Sequence, residues 1–168
     1  MHARGDPVAI ARTVRDALSL SATPAAAPPA GVAAKMALDT GQIDQILGYA
    51  GWGNGGVYQV SAPRDETVRA GGVVLPPAMG VATAINFQPS DGGKAAVNGD
   101  FVMIAGEIDG VVKALEENGV GVVELHNHLT DEEPRLFFLH FWASDDALKL
   151  ARGLRAALDR TNSLRAGG

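Results

Sequence analysis

The chain has 168 residues, 46% hydrophobic and 20% charged, with a formal net charge of −5 and no cysteine. That length and balance suit one globular domain with a real core and at most an appendage. They exclude disulfides, thiolate metal sites and cysteine nucleophiles, and the scattered Lys and Arg lack the clustering that a nucleic-acid partner needs.

No stretch approaches the roughly 20 apolar residues of a membrane span. The opening "MHARGDPVAIARTVRDALSL" is too charged for the apolar part of a secretory signal, so the chain as given is expected to be soluble without an export signal. Residues 6–19 carry Val8, Ile10, Ala11, Val14, Ala17 and Leu18 at largely helical spacing, with Pro7 suited to a first turn. The stretch "SATPAAAPPAGVAA" has the composition of an extended linker. "LDTGQIDQILGYAG" predicts a short helix with Ile43, Ile46 and Leu47 on one face, followed by a glycine-rich loop, "GWGNGG". "NGGVYQVSAPRD" predicts a strand with Val57 and Gln59 opposite Tyr58 and Val60.

Several short strands are expected from 66 to 107, punctuated by Gly71-Gly72, Pro76-Pro77 and Ser90–Gly93, with Asn98-Gly99-Asp100 as a further hairpin turn. "IDGVVKALEENG" predicts a helix with Ile108, Val111, Val112 and Leu115 inward and Gly119 as its stop. "VGVVELHNH" and "PRLFFLHFWA" predict two strands joined by an acidic loop. "SDDALKLARGLRAALDRT" predicts a closing helix with Ser144 as N-cap. The fold class is α+β, a largely antiparallel sheet with helices packed on one face and a strand–helix–strand unit inside it.

Residues 3–18 align without gaps on residues 143–158, pairing Asp6 with Asp146 and Ala17-Leu18 with Ala157-Leu158. Similar Ala/Arg composition can produce this, and so can a repeat whose last helix opens the chain. The expected organisation is an N-terminal helix over 1–20, a Pro/Ala linker over 21–37, a domain over 38–162 and a disordered tail over 163–168.

Three of the four histidines, His126, His128 and His140, fall within fifteen residues. On a strand, residues two apart share a face, which groups Glu124, His126 and His128 with Asn127 turned away. A simple hairpin sets His140 against the early part of that strand rather than against His128. Imidazole is the commonest side-chain ligand of zinc and also binds copper, nickel and iron. Two imidazoles on one strand, a third from the next, and Glu132 or Glu133 would make an open transition-metal site, zinc foremost, suited to hydrolysis of a small polar substrate. Arg135 is either an anion clamp or a partner of the loop carboxylates. Asn127 is a supporting hydrogen bonder, Trp52 a cover for a ligand, and Asp100 a general base if the fold brings it near. A metal-free pocket for an anion or small ligand, and histidines that merely lock the 129–134 loop, are the competing readings.

The blocks "GVYQVSAPR", "LPPAMGVATAINFQP", "NGDFVMIAGEIDGVV" and "LHNH…EPR…H" resemble the LppY/LpqO lipoprotein family, a bacterial domain without established activity. The resemblance covers most of residues 38–160 and matches its motif at His126, Asn127, His128, Glu133, Pro134, Arg135 and His140. It implies an exported or envelope-associated full-length form. The expected partners are a metal ion or small polar ligand, with a homodimer left open.

Overall fold

The computed structural model describes residues 5–22 and 36–164. The chain divides into two units, residues 1–32 and 33–168. In the first, α1 (Pro7–Leu18) starts where Asp6 accepts the Ala9 N–H at 2.8 Å, with Pro7 in the first turn, where its missing N–H has no helical partner to lose. None of its residues is buried. Most of the expected Pro/Ala linker lies outside the described residues.

The second unit runs α2 (Thr40–Leu47), β1 (Trp52–Asn54), β2 (Val57–Pro63), β3 (Arg69–Ala70), β4 (Val73–Val74), β5 (Ala82–Pro89), β6 (Lys94–Met103), α3 (Ile108–Glu117), β7 (Gly121–His126), β8 (Glu132–Glu133), β9 (Phe137–Asp146) and α4 (Ala147–Leu158). Its main sheet has the order β1-β2-β5-β6-β9-β7, and a small one the order β4-β3-β8. Both β6 and β7 run antiparallel to β9, so they are parallel to each other with β9 inserted between them. That is the split form of the strand–helix–strand unit, and the α+β class holds.

Alternation decides which face is covered. Tyr58, Val60 and Ala62 of β2 are buried between half-buried neighbours. Ile85, Phe87, Val97, Phe101, Leu139 and Phe141 share that inner face, which Ile43 and Leu47 of α2, Leu115 of α3 and Leu150, Leu154 and Leu158 of α4 cover. Each such fully buried side chain contributes roughly 1.5–3 kcal/mol. Among the described residues, the outer face is covered only at one end. There Val68, Ala70, Leu75 and Val81 pack on Val102, Leu136 and Phe138 as a second, smaller core. The Gly71-Gly72 turn between β3 and β4 has φ of 51° and 77°, as a tight hairpin requires.

A buried cation ties the segment after β2 to the end of β6 and the turn that follows it. Arg64 hydrogen-bonds both oxygens of Glu66 (3.0 and 2.9 Å), both oxygens of Glu107 (2.7 and 3.0 Å) and the Val102 carbonyl (2.9 Å). Glu107 also accepts from the N–H groups of Ile104 and Asn162. The domain extends past the expected end at 162: Ser163 bridges to Arg64, and the Leu164 N–H donates to the Pro63 carbonyl at 2.8 Å.

Three local expectations are corrected. Asn98-Gly99-Asp100 is not a turn but the middle of β6, because the inward Val97 and Phe101 keep the strand running through it. "GWGNGG" is not an open loop: Trp52–Asn54 pair with β2 as its edge strand. Asp146, not Ser144, caps α4, accepting the Lys149 N–H at 2.8 Å, because β9 extends through Ser144. The aligned helices α1 and α4 therefore share both length and an aspartate cap at the matched position.

Candidate functional site

The outer face of the main sheet carries two rows of side chains beyond the edge of the small core. Register gives the first as Trp52–Gln59–Asn86–Asn98–Trp142, and the second as Ser61–Ala84–Asp100–His140–Glu124. His126 lies one row further on, opposite Phe138. The histidines thus stand where the covered end of the face gives way to the open end.

A bulge creates this grouping. Val122 pairs with Phe141, but Glu124 pairs with His140, so Val123 is the extra residue. Without it, the even pairing would put Val123 opposite His140 and turn Glu124 toward the helices. With it, Glu124, His126 and His140 bring one donor atom each to within 4.8 Å of one another. The His126 and His140 rings stack at 4.8 Å and 17°. His140 pairs with Glu124, in the second half of β7, and not with His128.

Asp100 reaches the same point from β6, its Oδ1 2.8 Å from His140 Nδ1. The imidazole N–H is not aimed at that oxygen, which is buried without a hydrogen-bond partner among the described residues, and so is His126 Nδ1. The nearest carboxylate to His126 Nδ1 is Glu124, at 3.9 Å. Two buried polar atoms left unpaired each cost on the order of 1–3 kcal/mol unless a proton, water or cation satisfies them.

The remaining expected site residues do other work. His128 lies past the end of β7, stacked on Phe138 at 3.5 Å and 15°, and is outside the three-donor group. Burial pushes its pKa down; Asp100 opposes that shift, while His126 and His140 add to it. Glu132 is buried and accepts the Leu136 N–H at 3.0 Å; Arg135 reaches it at 3.4 Å and donates to the Leu129 carbonyl at 3.2 Å. Glu133 is exposed, pairing in β8 with Arg69. The acidic loop is therefore a third strand of the small sheet and no lid over the histidines. The two glutamates drop out as donors because β8 pairs with β3, away from the cluster. Asn127 donates to the Leu136 carbonyl, the structural role expected of it. Trp52 sits on the opposite edge strand from the histidines and covers none of them.

A family model described as a Domain of Unknown Function (DUF1259) matches residues 41–160. The chain belongs to that family. No curated protein and no solved structure matches it. The DUF1259 match runs from α2 through α4, so it includes Asp100, Glu124, His126 and His140 and leaves α1 outside. Among the described residues of this DUF1259 chain, no helix is long and apolar enough to cross a membrane.

One component escaped the reading of the sequence: the amide row beside the histidines. Its signal was present, since Asn86 and Gln88, and Asn98 and Asp100, recur at period two in segments otherwise suited to strands.

Proposed function

We propose that Glu124, His126 and His140 form a transition-metal centre, zinc foremost, with Asp100 beside the His140 ring. The supporting observation is the convergence of these three donors within 4.8 Å, with His126 Nδ1 buried and lacking a hydrogen-bond partner among the described residues. Two imidazoles and a carboxylate suit zinc or iron and leave positions open for water or substrate. Neighbouring donors of tetrahedral zinc lie roughly 3.4 Å apart, so binding would draw the three together by about 1 Å, within reach of side-chain rotation. When bound, such a metal would supply Lewis acidity or an activated water for hydrolysis of a small polar substrate. Asp100, 2.8 Å from His140 Nδ1, would accept the ring N–H once the imidazole turns to the metal, and so raise its basicity. The metal-free anion pocket has less support, because Arg135 turns its Nη1 to Glu132 and the Leu129 carbonyl rather than to the histidines.

Titration with Zn2+, followed by calorimetry and elemental analysis, tests the centre. One equivalent is expected, with an affinity loss in His126→Ala, His140→Ala or Glu124→Ala that exceeds the roughly 10–100-fold typical of removing a ligand's supporting partner. His128→Ala should retain most of the affinity. No uptake by the wild type, or equal uptake by His126→Ala, would sink the proposal. Ligation needs neutral imidazoles and releases protons, so affinity should fall as the pH is lowered. Deleting Val123 should leave zinc binding largely intact, because it removes only the extra residue and Glu124, now next to Val122, still pairs with His140.

We further propose that this family is the LppY/LpqO lipoprotein family and that the full-length protein is exported. The "LHNH…EPR…H" motif supports this reading. Recovery of the native protein only from the cytosolic fraction would refute it.

A further inference from the structure

Beside the histidines, the outer face carries a relay of primary amides. Asn54 donates to Gln59 (2.8 Å), Gln59 to Asn86 (2.8 Å) and Asn86 to Asn98 (3.1 Å), crossing four adjacent strands with every bond in the same sense. Asparagine is poorly suited to strands, so a row of such amides is not explained by β-propensity. The relay lines an open cavity of about 280 Å³ together with Gln88 and Trp142, and none of the described residues lining it is charged. The chain's only two tryptophans are Trp52 and Trp142. They stand at the two ends of this same row, 51% and 52% exposed. Four strand spacings separate them, ~19 Å. A second cavity, about 370 Å³, shares Asn86, Asn98 and Trp142 and continues to Asp100 and His140.

We propose that this face binds a neutral oligosaccharide. An amide keeps one donor and one acceptor after serving its neighbour in the relay, the pair that vicinal hydroxyls require. The relay also holds each amide in one orientation, so little side-chain entropy is lost on binding. The indole faces offer flat apolar platforms for the C–H faces of pyranose rings. The uncharged character of the described residues lining the first cavity disfavours phosphorylated or carboxylated ligands, and the span between the indoles favours an oligosaccharide over a single sugar. The second cavity lets the chain of sugars reach His140. The binding itself does not depend on the metal centre.

The test is a 1H–15N titration of the protein, in a chelating buffer, with cello-, xylo-, malto-, manno- and chitohexaose up to about 10 mM, a range that captures weak binding. The tryptophan indole N–H and the Asn and Gln side-chain amide signals should move with at least one hexasaccharide and less with its monosaccharide. Trp142→Ala should weaken binding about tenfold, in line with loss of one stacked ring. Asn98→Leu should weaken it too, with folding of both variants checked by circular dichroism. His140→Ala should still bind, which separates this surface from the proposed metal centre. No movement with any hexasaccharide overturns the proposal. So does movement with a proline-rich peptide alone, which would make the face a peptide groove.

Discussion

Replacing Gly99 by alanine should destabilise the domain by about 3 kcal/mol, the upper end for overpacked cores. A Cβ there would stand 1.9 Å from the Ala84 carbonyl oxygen and 2.9 Å from Phe141 Cζ. Neither neighbour can yield: the carbonyl belongs to the paired strand β5, and Phe141 is fully packed against Phe101 at 5.4 Å. The damage should reach function as well, because Gly99 lies between Asn98 and Asp100, which belong to the amide row and the histidine cluster. Urea denaturation checks the stability, and a midpoint unchanged from wild type would show that the strands can separate at this point without loss. Gly106→Ala, where a Cβ meets nothing within 4 Å, is the control.

Glu107→Ala should be worse, at about 3–5 kcal/mol, the range for breaking a buried pair from one side. The Arg64 side chain is only 1% exposed, and Glu107 supplies two of its five hydrogen bonds while also accepting the Ile104 and Asn162 N–H groups. Arg64→Met should cost less, since Glu66 and Glu107 are 29% and 11% exposed and can recruit water. The reverse ranking in denaturation experiments would mean that stranding the buried cation is not the larger cost. Acid should act at the same place. Burial pushes the Glu66 carboxyl up, but hydrogen bonds from Arg64 and Asn162 outweigh it and hold the pKa below its ordinary 4.5. A carboxyl lowered by folding adds stability that is complete above pH 4.5 and is lost as pH falls through the folded value. An acid-unfolding curve for Glu66→Gln should therefore lose part of the wild-type pH dependence below 4.5.

Much of the fold was legible because local chemistry and tertiary context agree. The alternation in "VYQVSAP" and the apolar faces of α2, α3 and α4 each had one burial solution. The misses came where a local signal met a stronger non-local one. Asn98-Gly99 has turn chemistry, yet a glycine there answers the close approach of β5, which no local window reveals. Glu132 and Glu133 were drawn to the histidines by proximity in sequence, but pairing with β3 takes them elsewhere.

By itself the sequence determined the α+β class, the three helices over the inner face, and the same-face grouping of Glu124 with His126, since these follow from periods of 2 and 3.6 residues. The tertiary structure alone decided that the Val123 bulge turns that group toward His140, that Asp100 meets them from β6, and that the amides of four strands join into one row. Strand register is a collective outcome of the whole core, and a one-residue shift exchanges the faces of every side chain beyond it.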